Sequence, residues 1–289
     1  MQGYSTEDIR PSPIAGSWYP GEPTKLRGTL AGFLEQAKLP AFSGRVRALI
    51  LPHAGLIYSG QTAAFALKSI EGQHYSRVII LSPSHQAYRG NLLTNAHQAF
   101  QTPLGTVPVD HESLQNLTDS LAAAGLLLNQ IRNDREHAIE IELPFLQYLL
   151  PEGFKLIPLM MMDQTLSTAK TLSTALSDLI SSFPPDQPTL LIASSDLSHF
   201  YQQDQANRLD QRLIDSLQNF DPTLFYTLKS THQTEACGYG AMATVLLTAQ
   251  KLGASQVTIA DYRTSAAVSQ DYSSVVGYVS AIISEGNND

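Results

Sequence analysis

The sequence predicts a single α/β domain over residues 1–289, built as a three-layer αβα sandwich around a central, largely parallel or mixed sheet. Three observations lead to this prediction. Short apolar runs of strand length alternate along the chain with segments of helical periodicity. The runs are apolar throughout rather than at every second residue, which is typical of strands that helices cover on both faces. A chain of 289 residues can bury the core of one such domain.

The predicted strands and helices follow one another in order. The predicted strands are residues 46–51, 77–81, 155–161, 189–193, 256–262 and 275–283. The predicted helices are residues 60–70, 111–123, 136–150, 165–182, 204–218 and 238–252. No clear helix separates the last two strands, which leaves room for a mixed sheet. The Pro-rich segment 181–188 interrupts the alternation only briefly, and we interpret it as a loop within the domain.

Charge and cysteine content exclude several classes of protein. A formal net charge of −8, with no cluster of Lys and Arg, argues against non-specific binding to nucleic acid or to an anionic membrane. The single cysteine, Cys237, cannot form an intramolecular disulfide. The first residues carry no apolar leader, and no apolar run is long enough to span a bilayer. We therefore expect a cytoplasmic protein with no nucleic-acid or membrane partner.

Three of the predicted strands are each followed by a histidine. His53 follows the first strand, His85 the second, and His199 the fourth, where Asp196 lies three residues earlier. Ligands of open α/β sheets bind in the crevice at the carboxyl ends of the strands. A single histidine in such a place is more often a structural, hydrogen-bonded residue than a ligand. Three in equivalent places favour a shared site at one edge of the sheet.

Cys237 directly precedes the predicted helix 238–252. A thiol at a helix N-terminus feels the positive end of the helix dipole and loses its proton more easily. This placement suits either a metal ligand or a nucleophile. The alternative is that Cys237 is a small buried hydrophobic residue, as free cysteines often are.

Two further residues are candidates for the same site. His137 and Glu140 would share one face of the predicted helix 136–150, where a carboxylate can orient an imidazole and raise its basicity. His137 is therefore a candidate acid–base group, with an ordinary surface His–Glu pair as the alternative. The order of residues is not H-E-x-x-H, which excludes that zinc-protease motif. Trp18, the only tryptophan, is expected either to cover a pocket or to pack within the fold.

Seven short motifs occur in the order that is typical of the MEMO family, whose prokaryotic members are also called AmmeMemoRadiSam system protein B. The motifs are GSWYP (16–20), LPHAG (51–55), SPSH (82–85), QTPLG (101–105), EHAIEIELPFLQ (136–147), SSDLSH (194–199) and Cys237-Gly238. The sequence resembles this family over nearly its whole length.

The resemblance implies the fold of the catalytic subunit of class III extradiol dioxygenases, which use non-haem iron(II). It also implies that His53, His85 and Cys237 match the metal ligands of the family. Those dioxygenases hold iron with two histidines and a carboxylate, and Cys237 stands where the carboxylate would be. A thiolate makes the site softer, so that copper or zinc becomes an alternative to Fe²⁺.

The resemblance leaves three interpretations open. In the first, a bound metal serves a redox or oxygenase-like reaction, with His199 and His137 as acid–base candidates and Asp196 orienting His199 or the substrate. Trp18 would then contact a small-molecule substrate. In the second, the protein is a non-catalytic binding or scaffold protein whose vestigial dioxygenase pocket holds a small molecule or a peptide. In the third, it is the partner of a radical-SAM protein in a modification system. The chain has no cysteine triad for an iron–sulfur cluster, so the radical chemistry would lie in the partner protein.

Overall fold

The apolar runs of the sequence form the strands of a large mixed sheet in the computed structural model, which describes residues 8–286. The predicted α/β class and three-layer αβα arrangement are confirmed. Residues 1–7, which belong to the polar amino-terminal segment, and residues 287–289 lie outside the described residues. The extent of the predicted domain, 1–289, stays a prediction.

The described residues form strands and helices in an alternating order. The strands are β1 (Ile9–Arg10), β2 (Val46–Leu51), β3 (Arg77–Pro83), β4 (Leu92–Asn95), β5 (Ala99–Thr102), β6 (Gly105–Pro108), β7 (Leu128–Ile131), β8 (Lys155–Met161), β9 (Thr189–Ser194), β10 (His199–Tyr201), β11 (Gln256–Thr264) and β12 (Val275–Ser284). The helices are α1 (Pro23–Gln36), α2 (Leu56–Leu67), α3 (His111–Ala123), α4 (Leu143–Leu149), α5 (Leu166–Ser181), α6 (Gln203–Gln218), α7 (Pro222–Ser230), α8 (Tyr239–Lys251) and α9 (Ala266–Ser269). Two 3₁₀ turns cover Lys68–Ile70 and Glu140–Glu142.

The large sheet has a parallel centre with antiparallel pairs toward its edges. Its strand order is β10-β12-β2-β9-β3-β8-β4-β7, and β11 also pairs with β12. The pairs β2–β9, β9–β3 and β3–β8 are parallel, whereas β12 is antiparallel to β2, β10 and β11. A small second sheet joins β1, β5 and β6. Only the four-residue helix α9 lies between β11 and β12, because an antiparallel pair needs no long crossover connection.

Helices form a layer on each side of this sheet. Helix α2 packs on β2, β11 and β12 and also contacts α1, which contacts α4 in turn. On the other side α8 packs on β2, β3 and β9, with α5 and α7 against it. The central strands are buried along nearly their whole length because both faces are covered. Within residues 8–286, no helix combines the length and apolar character that crossing a membrane requires.

The predicted helix 136–150 is wrong in its first half. The α-helix begins only at Leu143, after the 3₁₀ turn Glu140–Glu142. Before that turn, acidic side chains accept hydrogen bonds from neighbouring backbone N–H groups and hold these residues in an irregular conformation. The Asp134 carboxylate accepts from the backbone of Glu136, and the Glu136 carboxylate accepts from the backbone of His137. Such local side-chain bonds compete with helix formation.

Candidate metal centre

Three neighbouring parallel strands deliver the predicted site residues to one edge of the sheet. The strands lie in the order β2-β9-β3, and each is followed by its predicted residues. His53 lies just beyond β2, His85 beyond β3, and Asp196 and His199 beyond β9. The carboxyl ends of parallel strands meet at the same edge, so residues far apart in sequence become neighbours.

The structure brings His53, His85 and Cys237 together. One ligand-type atom from each of the three residues lies within 4.8 Å of the others. The closest pair joins Cys237 Sγ and His53 Nε2, 3.2 Å apart. The backbone of Cys237 is tied to the end of β9, because its N–H donates to the carbonyl of Asp196 over 3.2 Å. The N–H of Asp196 in turn donates to Cys237 Sγ, also over 3.2 Å.

The protonation of Cys237 differs from the sequence expectation. Burial, together with the nearby charge of Asp196, raises the pKa of the Cys237 thiol to about 12. The expected helix-dipole effect is outweighed, and the sulfur is a neutral thiol at pH 7 unless a cation lies beside it. Burial also holds the pKa of His53 well below its usual range. The nucleophile interpretation requires a thiolate activated by its histidine, and this pair of neutral groups does not favour it. A coordinated metal ion removes the thiol proton outright.

The second nitrogen of each ligand-type histidine is already engaged. His53 Nδ1 lies 2.8 Å from Ser194 Oγ, and His85 Nδ1 lies 2.9 Å from Glu136 Oε1. The hydrogen bond that the His85 ring donates to Glu136 raises the pKa of His85. Burial alone would raise the pKa of Glu136, but the hydrogen bonds and charge of His85 lower it to about 2. Glu136 is therefore ionised at neutral pH.

A second group of ligand-type atoms, from His85, Glu136 and His137, lies beside the first. Its carboxylate is fully occupied by hydrogen bonds. Glu136 accepts from the backbone N–H groups of His85, His137 and Ala138, in addition to the His85 ring. A carboxylate with this many donors has few lone pairs left for a metal ion. The first group is therefore the better candidate for metal binding.

His137 contacts Trp18 on one wall of the site, with the two rings tilted by 46°. The ring of His137 lies between Trp18, at a centroid distance of 4.3 Å, and His85, at 4.7 Å. Burial lowers the pKa of His137 to about 4, so this ring is neutral at pH 7. The carboxylate beside His137 belongs to Glu136, with a separation of 3.3 Å. The expected pairing with Glu140 is wrong, because the loop before the 3₁₀ turn directs Glu140 toward Arg10 instead.

Asp196 and His199 reach the site but have separate partners. Asp196 Oδ1 accepts from the backbone N–H of His53 at 2.8 Å, and burial raises the pKa of Asp196 to about 7. His199 Nδ1 lies 3.7 Å from Glu235 Oε1, and the hydroxyl of Tyr201 donates to Oε2 of the same carboxylate. Burial lowers the pKa of His199. Glu235 is the carboxylate beside His199, and the role of Asp196 in orienting His199 or a substrate stays a prediction.

These residues surround a cavity of about 450 Å³ at the strand ends. Polar, aromatic and aliphatic residues line the cavity: Ser17, Trp18, His53, Ala54, Gly55, Ile57, Tyr58, His85, His137, Asp196, His199, Val276 and Tyr278. The mouth of the cavity carries exposed apolar groups, including Ile57, which is 67% exposed, and Tyr58, which is 42% exposed. The cavity can hold a small, partly apolar molecule beside the His–Cys group.

Sequence reasoning missed the residues that support the histidines, namely Ser194, Glu136 and Glu142. Ser194 Oγ lies 3.1 Å from Glu142 Oε1 in addition to its contact with His53. One signal was present in the sequence: three glutamates stand among apolar residues in the segment 136–143. Glutamates within an apolar segment are buried together with it, and a buried carboxylate needs a hydrogen-bond or charge partner.

The fold and the site together define an α/β sandwich protein with a candidate metal-binding group of two histidines and a cysteine at the strand ends. The family model described as "Memo-like protein" matches residues 10–282. The chain belongs to this Memo-like family.

Relatives in archaea and bacteria carry the same family description. A "MEMO1 family protein" of Nitrosopumilus maritimus is 32% identical over 93% of this chain and 98% of its own length. One from Methanosarcina mazei is 33% identical over 96% of this chain and 99% of its own length. One from Thermotoga maritima is 36% identical over 81% of this chain and 82% of its own length. The resemblance inferred from the seven motifs is confirmed.

Proposed function

We propose that the protein binds one transition-metal ion through His53, His85 and Cys237 and uses it in a redox or oxygenase-like reaction on a small molecule. The observation that carries the proposal is the convergence of these three donor atoms within 4.8 Å from three separate chain segments. Imidazole nitrogen and thiolate sulfur suit iron, copper and zinc rather than magnesium or calcium. Fe²⁺ is our first choice and copper or zinc the alternative.

The residues around the donor atoms suit this use. A bound Fe²⁺ would supply redox chemistry with dioxygen, whereas the surrounding residues bind the substrate and hold protons. His199 faces the cavity and is neutral at pH 7, so its ring can accept a proton from a substrate hydroxyl. Trp18 and His137, whose rings are in tilted contact, form a wall against which a planar substrate can lie.

Metal loading tests the site. Protein purified without chelator and loaded anaerobically with Fe²⁺ should hold about one ion per chain, because the three donors converge on a single place. The double variant with His53→Gln and Cys237→Ser should hold almost none. His74→Gln, at an exposed histidine remote from the cavity, is the matched control and should bind as the wild type does. Stoichiometric iron in the double variant would refute the assignment of the ligands.

Oxygen consumption tests the reaction separately. Iron-loaded protein is offered a panel of catechols, and uptake that depends on the loaded iron would support a dioxygenase-like activity. Bound iron without uptake for any catechol would refute ring cleavage while leaving the metal site intact. That result would favour the second candidate function, a non-catalytic binding protein. The exposed apolar side chains around the cavity mouth, such as Ile57 and Tyr58, are the observation that favours this alternative.

A further inference from the structure

Four buried acidic residues lie within nine residues of chain, from Asp134 to Glu142. Asp134, Glu136, Glu140 and Glu142 are each no more than 6% exposed. Burying a carboxylate is unfavourable unless it is paired or hydrogen-bonded. Arg10 pairs with Asp134 at 2.7 Å and with Glu140 at 2.6 Å. Of the other two acids, Glu136 contacts His85, and Glu142 contacts Ser194, the hydrogen-bond partner of His53.

The contacts of Glu136 fix the direction of the hydrogen bond to His85. The Oε1 atom of Glu136 accepts from two backbone N–H groups, those of His137 and Ala138. Backbone N–H groups can only donate, so this oxygen acts as an acceptor. The His85 ring, whose Nδ1 lies 2.9 Å from the same oxygen, must then donate from Nδ1. A neutral imidazole carries a single hydrogen, which leaves a lone pair on His85 Nε2.

The same argument applies to His53 through a hydroxyl group. Ser194 Oγ lies 2.7 Å from the carbonyl oxygen of Ala138 and 3.1 Å from Glu142 Oε1. A carbonyl can only accept, so the Ser194 hydroxyl donates to Ala138 and turns a lone pair toward His53. His53 Nδ1, 2.8 Å away, must therefore donate. Its Nε2 lone pair then points toward Cys237 Sγ, 3.2 Å distant.

We propose that residues 134–142 are a positioning element that holds both His53 and His85 in the tautomer with hydrogen on Nδ1, so that each offers Nε2 to a metal ion. Glu136 acts on His85 directly, and Ala138 acts on His53 through Ser194. This inference rests on the proposed metal site for its purpose, although the tautomers themselves do not depend on a metal. A histidine can bind a metal only through an unprotonated nitrogen, and the partner of its other nitrogen selects which one that is.

The test measures tautomers first, in metal-free protein. Long-range ¹H–¹⁵N correlation spectra of protein with ¹⁵N-labelled histidine distinguish hydrogen on Nδ1 from hydrogen on Nε2. The wild type should show Nδ1–H for both His53 and His85. Glu136→Met removes the acceptor and should shift His85 alone toward Nε2–H, whereas Glu136→Gln keeps an acceptor oxygen and should restore Nδ1–H. Because the pKa of His85 is raised, the spectra are recorded at a pH high enough for both rings to be neutral. Nε2–H as the single hydrogen of either ring in the wild type would then overturn the proposal.

Matched variants separate positioning from general loss of stability. Glu140→Met makes the same substitution in the same segment but at a residue facing Arg10, and should leave both tautomers unchanged. Ser194→Ala should shift His53 alone, and it keeps the proposal testable if Glu136→Met does not fold. Its control is Ser198→Ala, at a buried hydroxyl that has no hydrogen-bond partner among residues 8–286. A tautomer shift in either control equal to that in its partner variant would refute the positioning role.

Metal titration of the same variants then tests whether residues 134–142 position the two histidines for metal binding. The dissociation constant for Co²⁺ should rise roughly 10–100-fold in Glu136→Met and Ser194→Ala, as is usual when a partner of a ligand histidine is lost. It should stay at the wild-type value in the two controls. Shifted tautomers with an unchanged dissociation constant would refute positioning for the metal. Absence of Co²⁺ binding by the wild type would refute the proposed function, and the tautomer result would still stand.

Discussion

Residues 134–142 carry buried acids on two sides, one facing Arg10 and the other facing His85, and the acids have different partners on each side. Toward the amino-terminal strand β1, Asp134 and Glu140 surround the guanidinium of Arg10, which is 1% exposed. Toward the strand ends, Glu136 contacts His85, and the described residues that line the cavity there include no lysine or arginine. One side is charge-paired within the protein. On the other side, the Glu136 carboxylate is held by backbone N–H groups and by the ring of His85.

The difference shows that the partner of a buried acid, more than the acid itself, indicates its function. Glu140 also accepts from the hydroxyls of Ser12 and Tyr19. These hydrogen bonds attach the segment 12–19, which includes Trp18, to the 3₁₀ turn that carries Glu140. The Arg10 side holds the wall of the cavity in place. The histidine side supplies the groups within it.

The largest effect should come from breaking the Arg10 side. Arg10→Met would leave two buried carboxylates without their cation and should lower the free energy of unfolding by about 3–5 kcal/mol. Urea denaturation of the metal-free protein measures this change. The control is Arg132→Met, which removes an exposed ion pair with Asp8 and should change stability little. Equal losses in the two variants would contradict the structural importance of the Arg10 side.

Acid should weaken the histidine side at a defined pH. The pKa of Glu136 is lowered from 4.5 to about 2. The carboxylate therefore stabilises the metal-free fold above pH 4.5, and this contribution is lost as the pH falls toward 2. The amount is on the order of 3 kcal/mol. Urea unfolding at several pH values should show a steeper acid loss in the wild type than in Glu136→Gln. Parallel curves would contradict an ionised Glu136.

The smallest effect on metal binding is expected for a change at His137, which belongs only to the second group of ligand-type atoms. His137→Gln alters only the second group, whose carboxylate is already saturated, so the Co²⁺ dissociation constant should change less than about tenfold. Cys237→Ser, which removes a donor atom of the first group, should raise it by far more and abolish the sulfur-to-metal charge-transfer band. Absorption spectroscopy during Co²⁺ titration measures both. A larger effect of His137→Gln than of Cys237→Ser would reverse the assignment of the two groups.

Much of the fold was predictable because its signals are local. The apolar runs at 46–51 and 155–161 coincide with β2 and β8, and helix 111–123 coincides with α3. The elements missed are the helices α1, α7 and α9 and the short strands β1, β4, β5, β6, β7 and β10. Of these strands, β4, β7 and β10 pair with strands at least 30 residues away, which periodicity does not reveal. The start of the helix after residue 136 was wrong because carboxylates there bind the backbone N–H groups, an effect that periodicity does not reveal.

The sequence by itself determined the α/β class and the delivery of His53, His85 and His199 to one edge of the sheet. Both follow from the order of apolar runs and from the geometry of parallel strands. The motif resemblance added Cys237 to His53 and His85. Only the tertiary structure decided that burial keeps the thiol neutral in the metal-free protein, and that Glu136 rather than Glu140 contacts His85 and His137. The physical reason is that a buried polar group is governed by its partner, and these partners lie far away along the chain. Arg10 and Asp134, 124 residues apart, are an example.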